Sequence, residues 1–465
     1  GRRWTAVIIE EFDAVVVGGG ITGLAAAATL ADAGRSVVLL EKQDQLGGSS
    51  VMSGGWFAFS GTDEQARLGI ADDSEVFVDD MRETGGKRTD ETLLRAYVNE
   101  QGDAYRWLRQ LGFEADVVKI SSGQSRARSH LYDIHRLVNV LRGRIEARPG
   151  SRVITGCAAT RLVADELGAV TGVDAEASDG AVRFLGRGGV VLGTGGFSRS
   201  AKLLEIFAPE QLAGIRHGGA GSTGDGLTMA WALGAGFRDM GYASGTYGSH
   251  PLTGDDEHEL LTAFYMGAII VNEQGKRFVD ESVSYKTIGS AALEQSNGLG
   301  FEVFDSAVRA KSQPGVPLSD IAHLEAKGRV FSASTLEELA TQAGIDPAGL
   351  EETVARYNAA IRSGGPDELA RTALCNGVGD LLTIDAPPYY AYPAKSLMTS
   401  TYCGLTVTPE TRVLRVDGSV INGLYAAGEL VGGFHGTAYM TGTALSKGFI
   451  FGRVAARHIH LKELP

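Results

Sequence analysis

Residues 13–23 read Asp13-Ala14-Val15-Val16-Val17-Gly18-Gly19-Gly20-Ile21-Thr22-Gly23. The apolar run up to Val17 does not alternate with polar residues, which predicts a strand buried on both faces. The glycines predict a tight turn, and the alanine- and leucine-rich segment from about Thr22 to Ala33 predicts a helix. A second apolar run, Ser36 to Leu40, ends at Glu41. The stretch therefore predicts a strand–helix–strand unit.

Gly18, Gly20 and Gly23 have the spacing Gly-x-Gly-x-x-Gly between a strand and a helix, which is typical of dinucleotide binding. The glycines let a pyrophosphate approach the helix N-terminus, where free N–H groups favour negative charge. Glu41, about 20 residues further on, can accept hydrogen bonds from adenosine ribose hydroxyls. The alternative is a glycine-rich turn that only packs the helix on the strand. The spacing alone does not distinguish NAD from FAD.

Composition narrows the function classes. A chain of 465 residues predicts two structural units, and 64 glycines predict many tight turns and close backbone approaches to a ligand. The net charge of −13 disfavours nucleic acid and anionic membranes as partners, and no apolar run is long enough to span a membrane. Cys157, Cys375 and Cys403 form no paired motif, so we expect no metal site, no disulfide framework and a cytoplasmic location.

The character of the sequence changes along the chain. Helical patterning marks about 90–111 and 133–147. Runs of β-branched residues separated by turns mark 152–195 as a small sheet that returns to the main sheet at 189–193. A more polar, mixed segment follows and then glycine-rich sequence returns, which predicts an inserted domain. The predicted domains are residues 8–242 together with 393–465, and residues 243–392.

Further glycine-rich blocks occupy 46–55, 190–198, 221–235 and 423–429, followed by 443–445. In this order they resemble the flavin-contact blocks of the fumarate reductase/succinate dehydrogenase flavoprotein superfamily. The resemblance implies FAD as cofactor and an α/β fold, with a Rossmann-type FAD-binding domain and an inserted smaller α+β substrate (cap) domain. Some members attach FAD through a histidine in the loop near 49–50, where this chain has none, so the resemblance implies non-covalent FAD.

The resemblance and the glycine motif together assign the cofactor site. Glu429 is similar to the residue that holds the ribityl chain, and 443–445 resembles the loop at the pyrimidine edge of the isoalloxazine. The residues expected to bind FAD are Gly18, Gly20, Thr22, Gly23, Glu41, Lys42, Gly48, Ser49, Ser50, Ser53, Gly54, Gly55, Ala158, Thr194, Gly195, Asp225, Gly428, Glu429, Ala444 and Leu445.

The substrate side departs from the fumarate reductases, which clamp a dicarboxylate with arginines and histidines. Tyr285 stands in the place of the arginine that delivers the proton, and Tyr439 in that of a second carboxylate-binding arginine. Ala263 replaces the acid of a Thr-Glu pair, and Thr401 stands near the expected substrate histidine. Only His250 with the proline after it keeps the family pattern, so the dicarboxylate clamp is largely missing.

Two tyrosines in those places resemble the 3-ketosteroid dehydrogenases and related cyclic-ketone desaturases. The resemblance implies that Tyr285 removes the proton α to a carbonyl, while the Tyr439 hydroxyl and the Gly442 N–H hold the carbonyl oxygen. An α-proton is a far weaker acid than a phenol, so the enolate oxygen must be stabilised as it forms. The β-hydrogen can then leave as hydride to flavin N5.

The expected function is therefore FAD-dependent α,β-desaturation of a small-molecule cyclic ketone, of cyclohexanone or 3-ketosteroid type, with an unidentified electron acceptor. One alternative is an enone or enoate reductase of the fumarate reductase type, and a second is a flavin-binding protein without turnover. Simple packing is the alternative role for Tyr285 and Tyr439. His250 and His435 can equally just hydrogen-bond backbone. The aromatic residues of 389–392 are either a substrate wall or packing at the domain junction.

Overall fold

The computed structural model describes residues 7–254, 257, 259–374, 379–462 and 464. The chain divides into two compact units. The first unit comprises Gly1–Ala208, Gly218–Ala243 and Ser400–Pro465, and the second comprises Pro209–His217 and Ser244–Thr399. The sequence placed its domain boundaries at 242/243 and 392/393, and that division into functional domains stays a prediction.

Both units contain strands and helices, numbered here in chain order. The strands are β1 (Ile8–Phe12), β2 (Ala14–Val17), β3 (Val37–Leu40), β4 (Trp56–Ala58), β5 (Val118–Lys119), β6 (Ser129–Leu131), β7 (Arg152–Ile154), β8 (Ala158–Ala164), β9 (Val170–Ala177), β10 (Gly180–Gly186), β11 (Val190–Leu192), β12 (Ile215–Arg216), β13 (Phe237–Arg238), β14 (Ala243–Ser249), β15 (Ile269–Val271), β16 (Gly300–Phe304), β17 (Phe331–Ala333), β18 (Tyr389–Thr401), β19 (Gly404–Leu405), β20 (Arg412–Leu414) and β21 (Val420–Ala426). The helices are α1 (Ile21–Asp32), α2 (Asp63–Arg67), α3 (Ser74–Thr84), α4 (Glu91–Gln110), α5 (Ile134–Glu146), α6 (Ala201–Phe207), α7 (Asp225–Trp231), α8 (Tyr285–Leu293), α9 (Ser306–Arg309), α10 (Ile321–Ala326), α11 (Leu336–Ala343), α12 (Pro347–Ser363) and α13 (Thr443–Leu461).

The first unit is built on a six-stranded sheet in the order β20-β21-β11-β2-β3-β7. Strand β2 pairs in parallel with both β3 and β11, which confirms the predicted strand–helix–strand unit. Strands β2, β3 and β11 are buried along their whole length, as their unbroken apolar sequence requires. Helix α1 packs against α5 and α13 and is buried on nearly all sides, which explains its alanine-rich sequence.

A four-stranded sheet, β1-β10-β9-β8, forms a second layer of the first unit. It contains the centre of the segment predicted as a small sheet. Strand β11, at the end of that segment, returns to the main sheet as predicted, whereas β7, at its start, was predicted in the small sheet but also belongs to the main one. Smaller sheets are formed by β4-β6-β5 and by β13-β19.

The second unit is an α+β unit around a sheet in the order β12-β18-β16-β15, in which β14 and β17 also pair with β18. Its apolar core includes Tyr247, Phe264, Ile270, Phe304 and Tyr392. Because Tyr390 and Tyr392 belong to this core, both are packing residues of the unit's own interior.

Candidate flavin site

The turn between β2 and α1 accepts only glycine at two of its three motif positions. A Cβ added to Gly18, which has φ +108°, would lie 2.1 Å from the carbonyl oxygen of Gly193. A Cβ added to Gly23 would lie 1.8 Å from the carbonyl oxygen of Gly18. At Gly20 the nearest atom, Ser50 Oγ, is 3.5 Å away, so the backbone there has open space beside it. The motif thus combines tight chain packing with an open side at the start of the helix.

The N-terminus of α1 is suited to an anion. Its capping residue, Gly20, has no side chain to accept hydrogen bonds, and the Ile21 N–H donates to Ser50 Oγ at 3.1 Å. The N–H groups of Thr22 and Gly23 have no acceptor within the described part of the chain. Unpaired N–H groups and the helix dipole favour a phosphate, so the residues present fit the pyrophosphate of FAD.

Glu41 lies beside this turn, where the adenosine ribose is expected to bind. It is buried, and its carboxylate accepts N–H donors from Gly19 at 3.0 Å and Gln43 at 2.8 Å. A carboxylate offers about four acceptor positions, so two remain for ribose hydroxyls. Beside it, Lys42 Nζ lies 2.8 Å from Asp225 Oδ2, which links two further predicted residues by an ion pair.

The region where the ribityl chain of FAD is expected contains closely packed, buried polar atoms. The hydroxyl oxygens of Thr194 and Thr401 are buried without a hydrogen-bond partner among the described residues. Glu429 accepts the Thr401 N–H at 2.8 Å, and a Cβ added to Gly196 would lie 2.8 Å from Glu429 Oε1. Burial raises the pKa of Glu429. Polar atoms enclosed in this way fit a polyhydroxylated chain, because a buried polar group is costly without a partner.

Two serines of the 46–55 loop tie that loop to its surroundings. Ser49 Oγ accepts the Gly219 N–H at 2.8 Å, and Ser50 Oγ accepts the Ile21 N–H as above. Ser53 and Gly54 are exposed, whereas Gly55 is buried and has φ +83°. The predicted FAD-binding residues all lie in the first unit, and their individual contacts with FAD stay predictions.

The N-terminus of α13 lies at the predicted isoalloxazine end. Its capping residue, Gly442, has φ +93°, and a Cβ there would lie 3.1 Å from the Ala58 backbone nitrogen. Ala444 is exposed at the first turn, while Leu445 is buried. A 19-residue helix directs its positive dipole end to this point.

Tyr439 belongs to an aromatic cluster in the first unit that the sequence did not indicate. Its ring centroid lies 5.4 Å from that of Tyr402 and 5.8 Å from that of His435, and the latter two are 6.0 Å apart. Tyr402 and His435 are buried, and Tyr439 is half-buried. The predicted oxyanion residue therefore has a rigid aromatic setting.

Tyr285 lies in the second unit as the first residue of α8. It is half-buried against the apolar core, and burial raises the pKa of its phenol. Its N–H donates to the Tyr265 hydroxyl at 3.3 Å, and the two ring centroids are 6.4 Å apart. Burial also lowers the pKa of the following residue, Lys286, to about 8. Neither Tyr265 nor Lys286 was indicated by the sequence.

His250 is held neutral. Its Nδ1 accepts the Leu252 N–H at 3.0 Å, which leaves the proton on Nε2. Burial is the main cause that lowers its pKa to about 4. His250 can therefore act as a hydrogen-bond donor near neutral pH, without contributing a positive charge.

Two of the three cysteines lie within the described residues. Cys157 and Cys403 are buried free thiols, and Cys375 lies outside the described residues. No group of three or more His, Cys, Asp and Glu side chains in the described ranges is arranged to hold a metal ion. No helix in those ranges combines the length and apolar character needed to cross a membrane.

Lys447 is a buried cation on α13. Its Nζ donates to the Val431 carbonyl oxygen at 3.1 Å and lies 5.4 Å from the Phe434 ring centroid. Burial lowers its pKa to about 8, against the opposing influence of Glu429. No sequence signal marked this residue, because a lysine in a helix is usually exposed.

We expect Lys447→Met to stabilise the protein at pH 7, by up to roughly 3 kcal/mol, because it removes a charge that burial disfavours. The folded pKa lies below the unfolded one, so the unfolded chain binds more protons between about pH 8 and the ordinary lysine pKa of 10.5. The stability of the parent protein should thus rise with pH in that window, and this contribution should be absent from the variant. Denaturant unfolding of both proteins at pH 7 and 9.5, at equal FAD concentration, measures it. Identical pH dependence would contradict the assignment.

Denaturation should release free FAD. The loop around 49–50 has no histidine to form a covalent bond to the flavin, and the phosphate and ribose sites described above bind without covalent chemistry. Acid precipitation followed by absorbance of the supernatant checks this. Yellow colour that stays with the precipitated protein would show a covalent link.

Known flavoproteins resemble this chain in sequence and in fold. The model of the FAD binding domain family matches residues 13–445. The fumarate reductase (cytochrome) of Shewanella frigidimarina strain NCIMB 400 is 29% identical over 463 residues, which covers 96% of this chain and 73% of that protein. The structure of the open conformation of a flavocytochrome c3 fumarate reductase superposes with a TM-score of 0.83 at 26% identity, covering 97% of this chain and 79% of that one.

A second structural relative comes from another branch. The 3-ketosteroid-Δ4-(5α)-dehydrogenase of Rhodococcus jostii RHA1, solved with 4-androstene-3,17-dione, superposes with a TM-score of 0.75 at 26% identity and covers 97% of both chains. These matches confirm the predicted α/β flavoprotein fold and FAD as the cofactor. The chain belongs to the FAD binding domain family, in the fumarate reductase/succinate dehydrogenase flavoprotein superfamily, and is an FAD-dependent oxidoreductase.

Proposed function

We propose that the protein introduces a C=C bond α,β to the carbonyl of a cyclic ketone, of cyclohexanone or 3-ketosteroid type. The observation that carries the proposal is the pair Tyr285 and Tyr439, which by the sequence resemblance take the places of two arginines of the fumarate reductases. The surroundings of Tyr285 support it, because burial is the one influence that raises the pKa of this phenol and its ring packs on an apolar core. An apolar setting favours an alicyclic substrate over a dicarboxylate.

The roles of the chain's own groups follow from their chemistry. Tyr285, as phenolate, takes the α-proton of the ketone. The Tyr439 hydroxyl and the Gly442 N–H donate hydrogen bonds to the carbonyl oxygen, where negative charge develops. Bound FAD supplies the two-electron acceptor for the β-hydrogen, which leaves as a hydride. Proton and hydride together account for the two hydrogens lost as the C=C bond forms.

An anaerobic flavin-bleaching screen tests the proposal. Cyclohexanones and 3-ketosteroids should bleach the bound flavin of the purified protein. If none of them does, the proposed reaction is wrong. If nothing in a wider panel exchanges electrons with the flavin, a flavin-binding role without turnover is favoured instead.

A second candidate is reduction of an enone or enoate, and the identity to a fumarate reductase favours it. The reverse experiment, oxidation of the reduced flavin, tests this candidate. Chemically reduced protein is mixed anaerobically with an enone or an enoate, and rapid return of the yellow colour would favour reduction as the working direction.

We expect that fumarate does not oxidise the reduced flavin and that succinate does not reduce the oxidised flavin. Tyr285 and Tyr439 cannot clamp carboxylates as arginines do, and Ala263 offers no acid. Stopped-flow absorbance of the reduced protein with fumarate, and of the oxidised protein with succinate, measures the two rates. Re-oxidation by fumarate on the time scale of turnover would contradict this expectation.

A further inference from the structure

A short 3-10 turn, Ala263–Tyr265, contacts the start of helix α8 through the side chain of its last residue. The hydroxyl of Tyr265 accepts the N–H of Tyr285 at 3.3 Å. The first N–H groups of a helix have no acceptor within the helix, so a side chain that accepts one of them fixes where the helix begins. Ser284 accepts the next N–H, that of Lys286, also at 3.3 Å. The peptide N–H groups before and after the α-carbon of Tyr285 are thus each held by a side-chain acceptor.

The other end of the same turn is held by a buried acid. Glu302, on β16, is fully buried, and its Oε1 accepts the Ala263 N–H at 2.8 Å. The backbone of Phe264 also favours the charged form of this carboxyl group, against the larger effect of burial on its pKa. The residue before the turn, Thr262, does not cap it, because its hydroxyl donates to the Leu318 carbonyl oxygen instead. Glu302 therefore takes the place of the missing cap.

The surroundings of Glu302 favour its neutral form. Its Oε2 and the Tyr247 hydroxyl are both buried without a hydrogen-bond partner among the described residues. An unpaired carboxylate in such a place would be strongly disfavoured, and burial raises the pKa of Glu302 well above its usual range. A neutral carboxyl can still accept the Ala263 N–H through its carbonyl oxygen.

We propose that Glu302 and Tyr265 are positioning residues for Tyr285, in a chain of contacts that runs from Glu302 through the turn and the Tyr265 hydroxyl to the start of α8. The proposal rests on the proposed function, in which Tyr285 takes the α-proton. Proton transfer depends on placement, since a misplacement of about 1 Å costs on the order of 10²-fold in rate. Two polar contacts on the backbone beneath the phenol restrict its movement.

The test combines an activity-independent readout with flavin reduction in the holoenzyme. Tyr265→Phe removes the acceptor of the Tyr285 N–H, so hydrogen exchange of the segment that contains Tyr285 should speed up by roughly fivefold to tenfold, as for one lost hydrogen bond. The limiting rate of flavin reduction by the ketone should fall by about tenfold or more. The ketone concentration at half-maximal rate and the FAD content should stay unchanged.

Two variants of Glu302 test whether its acceptor oxygen is what matters. Glu302→Gln keeps a carbonyl oxygen for the Ala263 N–H, so exchange and rate should stay within about twofold of the parent protein. Glu302→Leu leaves the Ala263 N–H buried without that acceptor and should reproduce the defect of Tyr265→Phe. Tyr390→Phe is the matched control, because Tyr390 is another tyrosine of the same core, stacked on Phe304 with ring centroids 5.3 Å apart.

The outcomes separate two failures. If Tyr285→Phe reacts at the parent rate, Tyr285 is not the base, and the positioning role is wrong with it. If Tyr285→Phe is slow while Tyr265→Phe keeps the parent exchange and rate, the proposed function stands and the positioning role alone is wrong. Equal losses in Glu302→Gln and Glu302→Leu would also overturn the role of Glu302, because the acceptor oxygen would then not be what matters.

Discussion

Tyr285→Phe is expected to slow reduction of the bound flavin by the ketone substrate by a factor on the order of 10² or more. The change removes only the hydroxyl, and the phenyl ring stays packed on the core of the second unit. Binding of a product-like enone should therefore change little. Stopped-flow absorbance at the flavin band, over a range of ketone concentrations, separates the limiting rate from binding.

The pH dependence of this rate gives a second signature. Burial raises the pKa of Tyr285, so the phenol is mostly protonated near neutral pH and the reactive phenolate fraction grows as pH rises. The rate of the parent protein should rise with pH, and the residual rate of Tyr285→Phe should lose that rise. Tyr390→Phe serves as the control for removing a buried tyrosine hydroxyl from the same unit. Parent-like reduction by Tyr285→Phe would mean that Tyr285 only packs.

Local sequence predicted the nucleotide-binding turn because its constraints are local. Gly18 directly follows β2, and Gly23 lies in the first turn of α1. A Cβ on either residue would clash with nearby backbone atoms. The buried strands on either side were readable from unbroken apolar runs. Helix α1 begins and ends one residue earlier than predicted, at Ile21 and Asp32, since helix ends are set by capping details that composition does not show.

Contacts between residues far apart in the sequence could not be predicted from local patterns. The bond from Tyr285 to Tyr265 spans 20 residues, and that from Ala263 to Glu302 spans 39. Neither spacing follows a helical or strand period, so no pattern pointed to them. Lys447 gave no signal for a related reason: its low pKa comes from burial, which depends on the packing of the whole first unit.

Tyr439→Phe is expected to raise the barrier to flavin reduction by roughly 3 kcal/mol, about a hundredfold in rate, as for loss of one oxyanion-hole donor. The ring of Tyr439 is packed beside Tyr402 and His435, so the variant should keep its place in the cluster and its FAD. The loss should fall on the limiting rate more than on ketone binding, because the hydrogen bond strengthens as charge develops on the oxygen.

The control is Tyr402→Phe, which makes the same chemical change in the neighbouring ring and should react within about threefold of the parent protein. Gly442→Ala tests the other donor. The added Cβ would lie 3.1 Å from the Ala58 nitrogen at a residue with φ +93°, so the start of α13 must shift and the Gly442 N–H with it. If Tyr439 and Gly442 hold one oxygen, the double variant should lose less than the product of the two single losses, because each donor already fails when the other is displaced. Independent, fully multiplicative losses would show that the two groups do not act on the same atom.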